Sequence, residues 1–108
     1  MGKDRRVVGS GTSMHLSFEW NPSKAAENRQ KHGVPFEEAV STFGDPLARI
    51  FDDPDHSGTE ARELIIGHCK RQRILVVCFV QRGGRVRIFS ARRATRQERQ
   101  DYEEGTSS

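Results

Sequence analysis

The sequence predicts an α+β domain, an antiparallel sheet with helices packed on one face, in the order β-α-α-β-β-β-β-α. Three observations carry that prediction. Residues 74–80 (ILVVCFV) form a near-continuous apolar run of strand length, as expected of a strand buried on both faces. Directly after it, Arg82-Gly83-Gly84 makes a tight hairpin turn, and residues 85–90 return antiparallel. Ahead of the strands lie two segments of helical spacing, one between Asn21-Pro22 and Gly33, the other between Pro35 and Gly44.

Each element has its own local cause. Residues 15–20 alternate Leu16, Phe18 and Trp20 with polar residues, the pattern of a half-buried strand. Asn21 caps the first helix and Pro22 takes its first position; the helix runs through Lys24, Ala25, Asn28 and Lys31 to His32, where Gly33 closes it. In the second helix Phe36, Ala39, Val40 and Phe43 share one face. A short strand is expected at 47–51, then a loop at 52–58 (DDPDHSG), then a strand at 62–68 carrying Leu64 and Ile66. Thr95 with Glu98 forms a capping box for a last helix through Arg99 and Tyr102 to about residue 104. Residues 1–13 are rich in Gly and Ser without apolar period, so they read as a disordered extension, native or left by expression. The domain is expected to span 14–104, with 105–108 a disordered tail. A chain of 108 residues supports one small domain, and 33% hydrophobic against 31% charged residues means a compact core under a very polar surface.

Charge is distributed unevenly. Between residues 61 and 100, eleven Arg and Lys side chains stand against only Glu63 and Glu98, in a chain whose formal net charge is +3. The compensating acids lie at Glu37, Glu38, Asp45, Asp52, Asp53, Asp55 and Glu60 and near the C-terminus. A field this one-sided attracts polyanions, and the planar fork of arginine suits phosphate. A solvated basic face without a partner is the plain alternative. No apolar run reaches the ~18 residues of a membrane span, and no signal peptide opens the chain, so a cytoplasmic protein is expected. Cys69 and Cys78 fit that compartment as reduced thiols. With His56 and His68 they lack the spacing of a zinc site, and neither metal nor cofactor is expected.

Two constellations could carry chemistry. On the returning strand Arg85 and Arg87 point one way and Val86 and Ile88 the other, and the chain then leaves through Ser90-Ala91-Arg92-Arg93 into the capped helix. Arginines beside a helix N-terminus form a phosphate seat, able to bind RNA or to stabilise a five-coordinate phosphate during strand cleavage. Alternatively Arg92 or Arg93 pairs with Glu98 or Asp101. The second is Lys31-His32-Gly33, where cations complement the negative end of a helix dipole, and where histidine could also serve as acid or base. Trp20 and Tyr102 could stack on bases or belong to the core. His68 precedes an expected turn at 69–72 and reads as exposed. No Ser-His-Asp arrangement, phosphate loop or dinucleotide motif is present, and Gly83-Gly84 carries no nucleotide signal.

These residues converge on a family. Phe18-Glu19-Trp20-Asn21-Pro22, Lys24, Asn28, Lys31-His32-Gly33-Val34 and Phe36-Glu37-Glu38-Ala39 resemble the opening signature of BrnT-type toxins. Asp45-Pro46, Arg62, Gly67, Arg73, Arg87-Ile88, Ser90-Ala91-Arg92, Glu98 and Tyr102 continue the likeness over roughly 16–104. The resemblance implies a RelE-like fold and a type II toxin–antitoxin toxin, an mRNA-interferase-like endoribonuclease that cuts RNA without a metal and arrests translation. It implies a small ribbon-helix-helix antitoxin (BrnA-like) as partner, operator DNA bound only through the antitoxin complex, and no membrane association. By matching positions, Lys31, His32, Arg62, Arg87, Arg92 and Tyr102 become catalytic candidates; Arg73, Arg85 and Arg93 of the basic half are expected to bind RNA. Phe89 stands where another aliphatic is expected, and the Gly67-His68-Cys69 strand end is less typical. A non-catalytic RNA- or DNA-binding module is the rival reading, and a basic face that chiefly docks an acidic antitoxin is a third. A binding module would cleave nothing and show only salt-dependent affinity.

Overall fold

A computed structural model of the chain describes residues 16–54 and 61–107. The element order is the expected one: β1 (Ser17–Glu19), α1 (Pro22–His32), α2 (Phe36–Thr42), β2 (Arg49–Asp52), β3 (Glu63–His68), β4 (Ile74–Arg82), β5 (Arg85–Arg93) and α3 (Arg96–Ser107). The expected extension at 1–13 lies outside the described residues, as do Met14 and most of the 52–58 loop.

The helix signals act where the sequence places them. Asn21 Oδ1 accepts the backbone N–H of Ser23 at 2.8 Å and of Lys24 at 3.2 Å, and Gly33 closes α1 in the left-handed region at φ 70°. At α3 the capping box is complete: the Thr95 N–H donates to Glu98 Oε1 at 2.8 Å and the Glu98 N–H to Thr95 Oγ1 at 3.1 Å. This helix runs beyond the expected end near 104, so residues 105–107 are helical rather than a loose tail. The Arg49 guanidinium lies on the Gly105 backbone where any Cβ would collide with Nη1, so the last turn is covered from β2.

The sheet order is β1-β5-β4-β3-β2. Strands β2 to β5 pair antiparallel through successive hairpins, as expected, whereas β1 adds to β5 in parallel. Alternation in residues 16–20 marks a strand but not its neighbour, and β1 reaches its partner only after the rest of the chain has crossed over. The helices also divide between the faces. Val34, Phe36, Ala39 and Phe43 cover Ile65, Leu75, Val77, Phe79, Val86, Ile88 and Ala91, while Tyr102 of α3 packs with Ile66, Ile74 and Val76 on the other side. The expectation of helices on one face therefore holds for α1 and α2 alone. A strand as apolar as β4 needs cover on both faces, and α3 supplies the second.

α1 is fastened to the sheet by one buried amide. Asn28 Nδ2 donates to the carbonyls of Ala91 at 2.8 Å and Val34 at 3.0 Å, and Oδ1 accepts the Ala91 N–H at 3.1 Å. β1 pairs only with residues 85–87 of β5, so Asn28 supplies to Ala91 the backbone partners that a longer edge strand would have given. Asn28→Ala strands three buried backbone groups, and a loss of about 2–4 kcal/mol is expected from urea unfolding at neutral pH. A value under 1 kcal/mol would show that water replaces the amide.

Candidate active site

The arginine face is shaped by a bulge in β5. Phe79 pairs with Ile88 but Cys78 pairs with Ser90, which leaves Phe89 as an extra residue. Before the bulge the odd residues Arg85 and Arg87 face away from the α1–α2 core; after it Ala91 is buried and Arg92 takes the outward face. The extra residue switches the alternation. Arg87 and Arg92 thus share a face, about 15 Å apart along the strand, and Arg93 turns to the side of α1.

Near the hairpin, Arg82, Arg85 and Arg87 line an open cleft of about 520 Å³ with Ser17, Glu19, Val80 and Gly84. Glu19 sits between two of them, 3.2 Å from Arg87 Nη1 and 3.8 Å from Arg85 Nε, and both guanidinium groups stay exposed. Arg62 lies apart from this cleft, its Cζ stacked 3.8 Å above the Phe89 ring. Beside it burial, then the Asp53 carboxylate that accepts the thiol, pushes Cys78 up to about 11, so this cysteine stays protonated.

At the other end of the strand stands a smaller cleft of about 350 Å³, lined by His68, Gln72, Arg73, Ile74, Arg93, Ala94, Arg99 and Glu103. The end of α1 reaches this place: Gly33, next to His32, accepts a hydrogen bond from Arg73 Nη2 at 3.3 Å through its carbonyl. Lys31 and His32 are exposed at the end of α1, and Glu103 is the one carboxylate among the described residues that lines the cleft with Arg93. Arg73 is different. Its Nε and Nη2 bind Glu38 at 2.8 and 2.7 Å, and the carboxylate also accepts the Cys69 thiol at 2.8 Å. The Arg73 bond, against a burial penalty, holds the Glu38 carboxyl below its usual range. Arg73 thus braces α2 against β4 and spends its fork internally.

Arg92 is engaged as well, by the partner the sequence suggested. Its Nη1 and Nη2 donate to Glu98 at 2.8 and 2.9 Å, a bidentate pair that keeps the guanidinium over the start of α3. Tyr102 is 2% exposed and belongs to the core; it donates to Asp45 Oδ2 at 2.6 Å. Burial, and then Asp45, raise its hydroxyl well above the ordinary tyrosine range. Trp20 is half-buried with an edge-to-face contact on Phe36 at 5.7 Å, a core role rather than a stacking platform. No three His, Cys, Asp or Glu side chains gather as metal ligands among the described residues, and no helix of the described residues is long and apolar enough to cross a membrane.

Residues 20–98 match the family model described as "Ribonuclease toxin, BrnT, of type II toxin-antitoxin system". The chain belongs to the BrnT toxin family. It is therefore a ribonuclease toxin of a type II toxin–antitoxin system, with RNA as substrate and an antitoxin as partner. The crystal structure of the Brucella abortus ribonuclease toxin BrnT is similar in fold, with a TM-score of 0.54 and 24% identity over 75% of this chain and 99% of that one. No curated protein matches the sequence.

For a BrnT-family chain the sequence-derived set divides into three places. Arg93 lines the strand-end cleft, Lys31 and His32 are exposed at the end of α1 next to Gly33, and Arg92 lies on the opposite face of β5. Arg85 and Arg87 occupy the hairpin cleft, while Arg62 on Phe89 lies between. Arg73 and Tyr102 are structural in their contacts. Sequence reasoning missed Asn28 as a clamp, Glu38 as the buried anion and Asp45 as the acceptor of Tyr102. Each lay inside the family signature, but none carries a local pattern that announces a long-range hydrogen bond.

The Arg92–Glu98 pair makes a pH-dependent contribution to stability. Arg92 draws the Glu98 carboxyl from an ordinary 4.5 down to about 2, so the folded state favours the carboxylate. The contribution is complete above about pH 4.5 and is lost as pH falls towards 2. Glu98→Gln should be less stable than the parent at pH 7, with the gap closing across that window in urea unfolding. A gap that does not change with pH would overturn this account.

Proposed function

We propose that the chain cleaves RNA without a metal, at the cleft by the end of β5 that Arg93 and Arg99 line, with Lys31 and His32 reaching it from the end of α1. The observation that supports this reading is the basic lining of an open cleft at the end of β5. Among the described residues, Arg73, Arg93 and Arg99 stand there with His68 against the one carboxylate of Glu103, and the Arg73–Gly33 hydrogen bond brings the end of α1 to the same place. The 2′-hydroxyl attacks the adjacent phosphorus, the bond to the 5′ oxygen breaks, and the products carry a 2′,3′-cyclic phosphate and a 5′-hydroxyl. His32 with Lys31 serves proton transfer, and Arg93 holds the scissile phosphate as negative charge builds on it, while Arg92, on the other face of β5, contacts the neighbouring RNA strand. Arg85 and Arg87, too distant for the same phosphate, contact the flanking strand. The antitoxin is a ribbon-helix-helix protein that covers part of this arginine face, the complex represses its own operon, and the toxin works in the cytoplasm.

Purified toxin should cut single-stranded RNA in EDTA and leave DNA intact. His32→Ala should lower kcat by roughly 10²-fold, the scale of a lost acid–base group. Arg93→Ala should mainly raise KM and flatten the salt dependence by about 0.7 in log–log slope, one phosphate contact on a single strand. Arg71→Ala, in the exposed β3–β4 turn, serves as the control with little change. Cleavage abolished by EDTA overturns the metal-free chemistry, and binding without cleavage returns the chain to a binding module.

A further inference from the structure

One side chain of the strand-end cleft has no part in the chemistry above. His68 ends β3, its side chain 44% exposed, with Nδ1 3.2 Å from the Tyr102 hydroxyl and the two rings edge to face at 5.4 Å. Behind it lies a chain of hydrogen bonds whose proton order follows from donor chemistry. Asp45 is ionised: burial works against its charge, but bonds from the Tyr102 hydroxyl and the N–H groups of His68 and Leu47 outweigh it. A carboxylate only accepts, so the single phenolic proton of Tyr102 goes to Asp45. The phenol oxygen is then an acceptor towards the ring, and His68 must carry its proton on Nδ1. The basic nitrogen left for the cleft is Nε2.

The frame around this chain is stiff. His68 is held twice by Asp45, through its backbone N–H at 2.7 Å and, by way of Tyr102, through its ring. Gly67 makes the approach possible, because a Cβ there would stand 2.9 Å from both Asp45 Oδ2 and the Ala48 Cβ. An imidazole with a fixed tautomer, opening on a cleft whose walls include Arg93 and Arg99, is arranged as a base beside bound phosphate.

We propose that His68 is the general base of the ribonuclease, its Nε2 taking the 2′-hydroxyl proton while Tyr102 and Asp45 act as positioning residues. The inference rests on the metal-free reading above. As the proton moves to Nε2, the 2′ oxygen bonds to phosphorus, the bond from phosphorus to the 5′ oxygen breaks, and that oxygen takes a proton from solvent. His68 returns its proton to water before the next turnover.

The test is steady-state cleavage of a short RNA in EDTA by the full chain and its variants. His68→Gln should keep KM within about twofold and lose kcat by roughly 10²-fold or more. In His68→Ala, added imidazole should restore part of the rate, which a structural role would not allow. Tyr102→Phe should fold and bind RNA but lose part of kcat, without rescue by imidazole. Cleavage by the parent in EDTA together with full kcat in His68→Gln overturns this assignment and leaves the metal-free reading standing. Failure of the parent in EDTA removes both.

Discussion

The position of α1 depends on a single amide. The Asn28 side chain satisfies both backbone groups of Ala91 and the carbonyl of Val34, so one residue joins the helix, the link to α2 and the edge of β5. Apolar contacts alone would leave the helix free to slide along the sheet, whereas the amide has one register in which all three partners are met. Lys31 and His32 lie one turn further on, and their place beside the end of β5 is inherited from that register. Gly33 then ends the helix before it can carry them away from the sheet.

The arginine-rich half is balanced by a few carboxylates, each given a separate task. Glu38 is buried and binds Arg73 into the packing of α2; Glu98 straps Arg92 to the helix it also caps; Glu19 lies between Arg85 and Arg87 at the hairpin. Pairing of this kind lets a small domain carry many like charges at short range without pushing the sheet apart. Its effect on function is selective. Arg73 is tied to Glu38 while still lining the strand-end cleft, Arg92 is oriented by Glu98, and Arg93 shares its cleft with Arg99 and the carboxylate of Glu103.

Most of the fold was legible because its signals are local. Asn21-Pro22 with Gly33, Thr95 with Glu98, and the run 74–80 each act over a few residues, and each acts as read. The parallel pairing of β1, the second face covered by α3 and the helical residues 105–107 depend on contacts across the chain. The site was legible in its ingredients more than in its grouping. Alternation correctly sent Arg85 and Arg87 outward, but nothing in the letters marks the bulge at Phe89 that moves Arg92 onto their face. His68 read only as an exposed residue before a turn, since its link to Asp45 joins positions 23 residues apart. Tyr102 drew attention as an aromatic on a polar helix, and its burial follows from a strand face that only a long-range partner could cover.

The bulge also makes the electrostatic face a matter of counting. A chain of the same length that paired β5 with β4 without the bulge would run in unbroken alternation. Keeping the hairpin in place would then turn Ala91 outward, separate the backbone groups now met by Asn28 from their helix, and send the Arg92 guanidinium into the core. Keeping the Asn28 clamp would instead drive Arg85 and Arg87 inward. Within this fold the bulge therefore absorbs the one residue by which β5 outnumbers its partner, and it keeps both ends of the arginine face on the same side of the sheet.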